Sequence, residues 1–168
     1  DPCAGQGDAL AVLHEALTRT SQPASYAVEL DAERARCCRQ HFPATTINAS
    51  WEDVVSSNKA VSLLYLNPPY DYEVVASDKE SDKKQRLEWL FLRSAEDKLQ
   101  PGGVLVFVVA MLVLANKRTA SHLAAWYKDI RIYSVVDTEF PKFKQVILFG
   151  VKRDKPLNGN DYIAATEH

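Results

Sequence analysis

The sequence predicts an α/β fold, a mostly parallel sheet with helices on both faces and an antiparallel hairpin at the C-terminal end. Two observations carry that expectation. Short apolar runs of strand length alternate with amphipathic stretches of helical period from Leu10 to Lys152. Two of those runs, Val61 to Leu66 and Val104 to Val109, are almost continuously apolar, as strands buried on both faces require. In open sheets of this kind ligands sit beyond the carboxyl ends of the strands, so chemistry is expected just after each one.

The elements follow in order. A turn-rich opening, Asp1 to Gly7, leads into a first helix in which Leu10, Leu13, His14 and Leu17 recur at helical spacing and Pro23 follows the end. Tyr26 to Leu30 reads as a strand, Ala32 to His41 as a helix stopped by Pro43, and Thr45 to Ile47 as a weak strand. The Val61 to Leu66 strand ends at Asn67-Pro68-Pro69-Tyr70. From Tyr72 to Gln85 the composition turns to Asp, Lys, Ser and Glu, the signature of a surface loop long enough to act as a lid. Leu87, Leu90, Phe91 and Ala95 mark a helix up to Leu99, and Pro101-Gly102-Gly103 turns the chain into the Val104 to Val109 strand. Ala120 to Lys128 reads as a helix, with Ile130 to Val136 and Val146 to Lys152 as the closing hairpin.

Composition bounds the function classes. With 168 residues, 46% hydrophobic and 25% charged, the chain is expected to form one globular domain over 1–168 that folds without disulfides or a structural metal. Three cysteines, two of them adjacent, suit a reducing compartment, and a cytoplasmic location is expected. The longest apolar run, Val104 to Ala115, falls short of the roughly 18 residues of a membrane span, so no membrane partner is expected. Cys37 and His41 share a helix face but have no second ligand pair, so no metal is expected. The net charge of −2 announces no nucleic acid by itself. Basic clusters at Lys117-Arg118, Lys142 with Lys144, and Lys152-Arg153 with Lys155 fit either phosphate contacts or plain solubility.

Three clusters at strand ends stand out. In Asp1-x-x-x-Gly5-x-Gly7 two glycines ahead of a helix let a ligand approach the backbone, and the Asp1 carboxylate favours a ligand with an ammonium group over a phosphate; a structural turn is the other reading. Glu29 follows about 20 residues later at a strand tip, where an acidic side chain accepts hydrogen bonds from both hydroxyls of a ribose. Asn67-Pro68-Pro69-Tyr70 is the most specific. Two prolines stiffen the chain and remove donors, so the Asn67 side-chain carbonyl and the Pro68 carbonyl can accept both N–H bonds of a planar amine while Tyr70 stacks on its ring.

Asp-Pro-Cys-Ala-Gly-Gln-Gly, Val-Glu-Leu-Asp and Asn-Pro-Pro-Tyr, in that order and spacing, resemble motifs I, II and IV of the class I S-adenosylmethionine-dependent amino-methyltransferases, and within them the adenine-N6 branch. Leu99-Gln100-Pro101-Gly102-Gly103-Val104-Leu105 resembles the lead-in to that family's fifth strand, so the likeness covers nearly the whole chain. The sequence is most similar to methyltransferase-like domains of phages, plasmids and other mobile elements, a likeness that Phe140-Pro141 and Phe143-Lys144-Gln145-Val146 share.

The resemblance implies a Rossmann-like sheet whose first strand would precede Asp1, making the chain N-terminally incomplete. It implies S-adenosyl-L-methionine as cofactor and S-adenosyl-L-homocysteine as product. Asp1, Pro2, Cys3, Ala4, Gly5 and Gly7 would surround the methionine part, with Glu29 and Leu30 at the ribose and Asn67 also in contact with the cofactor. Trp51 would pack on the adenine, and Ser50 or Asn48 would stand where the family carries an acidic residue. Asn67, Pro68, Pro69 and Tyr70 would carry catalysis, Phe140 or Phe143 the opposite wall of a flipped base, and Lys144 a substrate contact. The implied reaction is methyl transfer to the N6 amine of adenine in nucleic acid, DNA ahead of RNA, with a separate recognition domain or subunit as a potential partner. A glutamine side-chain amide in a protein is the alternative acceptor. A catalytically silent subunit that binds cofactor or nucleic acid is the alternative from another class.

Overall fold

The computed structural model describes residues 1–69, 72–74, 84–135 and 144–157. They divide into two compact units, Asp1–Ser56 with Tyr65–Asn67, and Ser57–Leu64 with the residues from Pro68 onward.

In the first unit Gly7, at φ +90°, precedes helix α1 (Asp8–Thr18), and its carbonyl accepts the Ala11 N–H at 2.8 Å. Strand β1 (Ala27–Glu29) is buried at all three positions. Asp31 starts helix α2 (Ala32–His41) because its carboxylate accepts the Arg34 N–H at 2.8 Å, satisfying a donor that the helix itself leaves unpaired. Strand β2 (Thr46–Asn48) returns parallel to β1, with Ala27 opposite Thr46 and Glu29 opposite Asn48. Leu10, Ala27, Cys38 and Phe42 form the core between these elements, with Ala4 and Ala11 packed against it. The α1 N-terminus lies so close to α2 that a β-carbon on Gly7 would meet Cys38 Sγ at 2.8 Å and Cys38 Cα at 3.2 Å.

The second unit carries strand β3 (Val61–Leu66), whose last residues group with the first unit, and strands β4 (Tyr72–Val74) and β5 (Lys84–Arg86). Helix α3 (Leu87–Ala95) and a 3-10 turn (Glu96–Lys98) lead to strand β6 (Leu99–Ala110). Helices α4 (Met111–Ala115) and α5 (Lys117–Trp126) precede strands β7 (Tyr127–Ser134) and β8 (Gln145–Lys152). One sheet has the order β3-β6-β8-β7. Strand β8 runs antiparallel to both β6 and β7, which is the expected hairpin. Leu105, Phe107 and Val109 on one side of β6 and Val106 and Val108 on the other are all buried, as a continuous apolar run requires.

Several elements differ from the sequence reading. Strand β6 takes in Pro101 to Gly103 and begins at Leu99. The apolar run beyond Ala110 becomes α4, because pairing with β8 ends at Ala110–Gln145 and the Met111 N–H turns to the Lys144 carbonyl at 3.0 Å. Helix α5 begins at Lys117, not Ala120, because the Asn116 side chain accepts the Arg118 N–H at 2.9 Å and caps it. The span read as a surface loop contains an antiparallel pairing of Tyr72, Glu73 and Val74 with Arg86, Gln85 and Lys84, and 75–83 lies outside the described residues. No helix among the described residues is long and apolar enough to cross a membrane.

Among the described residues of this unit two carboxylates are buried, each paired with basic side chains. Glu88 is fully buried and accepts from the Arg86 guanidinium at 2.7 and 3.2 Å. Glu96 accepts from Arg93 on one oxygen and meets His122 Nε2 at 2.6 Å on the other, while Lys152 Nζ donates to its backbone carbonyl.

Two stability outcomes follow. Gly7→Ala is expected to destabilise the protein by about 2–4 kcal/mol, from the left-handed penalty together with overpacking against Cys38. A lower urea midpoint at unchanged m-value reads it out. Arg86→Ala, which strands the Glu88 charge, is expected to cost about 3–5 kcal/mol. Thermal melts should show this as a lowered midpoint, whereas Arg36→Ala in the exposed Glu33 pair leaves the midpoint in place.

Candidate functional site

The opening turn is laid along β1. The Asp1 carbonyl accepts the Val28 N–H and the Val28 carbonyl accepts the Ala4 N–H, both at 2.9 Å. Asp1 Oδ1 then accepts the Cys3 N–H at 3.0 Å, folding the side chain back over the turn, and Pro2 is buried beneath it. Gly5, at φ +58°, turns its N–H onto Glu29 Oε2 at 2.8 Å. A β-carbon on Gly5 would meet nothing within 4 Å, in contrast to Gly7. Gly7 is thus demanded by packing inside the protein, whereas the space above Gly5 is open to a ligand.

The Cys3 thiol lies where the Asn67 backbone N–H reaches it. Burial pushes it up to about 12, an effect that this hydrogen bond partly opposes. A thiol so protonated is no nucleophile, and Cys3 can only line the turn. Its contact also ties Asn67, within the first unit, to the glycine turn.

Glu29, at the carboxyl end of β1, is 4% exposed. Its Oε2 accepts the Gly5 N–H, while Oε1 accepts the Asp31 N–H at 2.9 Å, Arg34 Nε at 3.1 Å and Arg34 Nη2 at 2.9 Å. Oε1 is thus filled from within the protein, and the remaining acceptor capacity of Glu29 lies on Oε2. Leu30 beside it is 70% exposed, an apolar surface at the same strand end. Asn48 donates its side-chain amide to the Glu29 and Leu30 carbonyls, both at 2.9 Å. It clips the ends of β1 and β2 together, so its N–H groups do not point at a ligand. The Ala49 N–H adds a bond to the Glu29 carbonyl at 3.2 Å and hangs the next segment on this edge. Ser50 follows with no side-chain bond to the 3-10 turn Trp51–Asp53, and Trp51 is half-buried.

Asp1 to Gly7, Glu29, Leu30, Ser50, Trp51 and Asn67 are thus brought into one unit. After Asn67, which is exposed, Pro68 is buried and Pro69 exposed. Tyr70, Phe140 and Phe143 lie outside the described residues. Lys144 is exposed at φ +39°, just ahead of β8, and its carbonyl meets Met111. Arg34 is the residue that sequence reasoning missed. Its only signal was its place five residues after Glu29 in the first turn of α2, which says nothing until the helix is oriented on the strand.

Solved structures with the same architecture give the fold. A candidate class I S-adenosylmethionine-dependent methyltransferase of Listeria monocytogenes aligns over 92% of this chain and 53% of its own, with TM-score 0.72 and 16% identity. The methyltransferase subunit of a type I restriction-modification system from Streptococcus thermophilus aligns over 99% and 46%, with TM-score 0.68 and 14% identity. TYW2 of M. jannaschii, solved in complex with AdoMet, aligns over 91% and 67%, with TM-score 0.57 and 15% identity. The chain spans about half the length of the first two. No curated protein matches it in sequence. The fold is the Rossmann-like sheet of class I methyltransferases, as expected. Residues 1–165 match the uncharacterised methyltransferase family DUF6094, and the chain belongs to that family.

Proposed function

We propose that the chain is the core of an S-adenosylmethionine-dependent methyltransferase that methylates the exocyclic N6 amine of adenine in nucleic acid, DNA ahead of RNA. The observation that carries the reading is the contact between Cys3 and Asn67, which joins the glycine turn to the start of Asn-Pro-Pro-Tyr. The restriction-modification subunit among the structural neighbours supports a nucleic-acid acceptor.

The first unit fits the cofactor on its own geometry. The open space above Gly5 admits the methionine part beside Asp1, Pro2, Cys3, Ala4 and Gly7. The remaining acceptor site of Glu29 Oε2 suits a ribose hydroxyl, and Leu30, Ser50 and Trp51 offer apolar and polar surface for the adenine. When bound, S-adenosylmethionine supplies an electrophilic methyl group on a sulfonium.

The acceptor side rests on the chain's own carbonyls. An exocyclic aromatic amine is a weak nucleophile because its lone pair is delocalised into the ring. The Asn67 side-chain oxygen and the Pro68 carbonyl accept its two N–H bonds and draw the lone pair out of conjugation with the ring toward the methyl group; as the N–C bond forms the S–C bond breaks, and the surplus N–H proton passes to solvent. The same two acceptors also stabilise the positive charge that builds on nitrogen and hold the amine in line. The resemblance gives Tyr70 the role of stacking on the base, Phe140 or Phe143 that of its opposite wall and Lys144 that of a substrate contact; the first three lie outside the described residues. The buried Cys3 thiol stays protonated and takes no part in proton transfer.

Transfer of a labelled methyl group from S-adenosylmethionine to DNA, RNA and protein pools, with mass spectrometry of the product, tests the reading. N6-methyladenine is expected, and N5-methylglutamine would move the acceptor to a protein amide. Asn67→Ala is expected to lower transfer roughly 100- to 1,000-fold, from loss of one acceptor of the developing charge. Its cofactor affinity should stay within a few-fold. Full transfer by that variant would remove Asn67 from catalysis.

A further inference from the structure

Arg34 carries an inference that deepens the proposed function and rests on its cofactor reading. An ionised carboxylate offers about four lone-pair sites, two on each oxygen. On Glu29 three donors converge on Oε1: the Asp31 N–H and both Nε and Nη2 of Arg34. Among the described residues only the Gly5 N–H reaches Oε2. The guanidinium therefore lies across one oxygen instead of bridging both, and leaves the two ends of the carboxylate unequal.

The surroundings hold that asymmetry. Arg34 is placed in the first turn of α2 by its own N–H, which donates to Asp31 Oδ1 at 2.8 Å. Asp31 in turn donates its N–H to Oε1, so the cap of α2 and the clamp on Glu29 share two residues. The Glu29 side chain is 5% exposed and Arg34 is 55% exposed. The clamp thus reaches the buried carboxylate from the solvent side of the helix.

We infer that Arg34 is a positioning residue that limits Glu29 to one hydrogen bond with the ribose, donated by a single hydroxyl to Oε2. A vicinal diol that met both oxygens would find Oε1 saturated. Recognition of the sugar is then lopsided: one hydroxyl is read by Glu29 and its neighbour is not.

Binding decides this without turnover. S-adenosylhomocysteine and its 2′-deoxy and 3′-deoxy analogues are titrated into the full chain by calorimetry. One analogue should bind roughly tenfold or more weakly, as the loss of a bond to a charged acceptor implies, and the other should stay within about threefold of the parent. In Arg34→Ala, Oε1 becomes open to the second hydroxyl, and the analogue that was tolerated should lose affinity relative to the parent. A role of Arg34 in stability alone would weaken all three ligands together and leave the ratios unmoved. Comparable losses with both analogues in the unaltered protein, or unchanged ratios in Arg34→Ala, would overturn the inference and leave the cofactor reading standing. Lack of any affinity for S-adenosylhomocysteine would overturn both.

Discussion

The carboxylate of Glu29 is the point on which the first unit depends. It receives the Gly5 N–H from the opening turn, the Asp31 N–H from the junction of β1 with α2, and the Arg34 guanidinium from the first turn of α2. The opening turn, the end of β1 and the start of α2 are thereby joined by one buried group. A buried carboxylate is costly without partners, so each donor is a requirement of the fold as well as a feature of the site. The Asn48 amide performs the matching task on the backbone, holding the carbonyls of Glu29 and Leu30 against β2. The strand end expected to meet a ligand is therefore cross-linked by the protein's own hydrogen bonds.

The second unit solves a different problem. Its central strand β6 buries both faces, and among the described residues its buried carboxylates are each paired: Arg86 on Glu88, and Arg93 with the His122 ring on Glu96. Around the latter, Trp89 lies edge-on to His122 with ring centroids 5.3 Å apart, and the Arg118 guanidinium stands 4.6 Å over the Trp89 ring. Such contacts add to the ion pairs without removing the cations from solvent. This network locates α3 and α5 by polar as well as apolar contacts.

Much of the fold was legible because its signals are local. The apolar period of Leu10 to Leu17 and the continuous run at Val61 to Leu66 each declare an element within a few residues. The site was legible to the same extent, since turn chemistry at strand ends marks the places where a sheet of this type binds. What escaped was any feature made by approach of distant residues. The pairing of β4 with β5 hides in a stretch of charged residues without strand periodicity, and the Asn116 cap of α5 only matters once the run ending at Ala115 has left the sheet.

By itself the sequence determined the order of elements, the placement of unusual residues at strand ends, and the family likeness of Asp1 to Gly7, Glu29 and Asn67 to Tyr70. These are properties of periodicity and turn chemistry, which act over a few residues. The tertiary structure decided how each residue is used. Gly7 is required by Cys38 and Gly5 is not, Asn48 serves the backbone, and one oxygen of Glu29 is already taken. The physical reason is distance along the chain: hydrogen-bond capacity and close packing are filled by whichever groups the fold brings near, and no local pattern records which those will be.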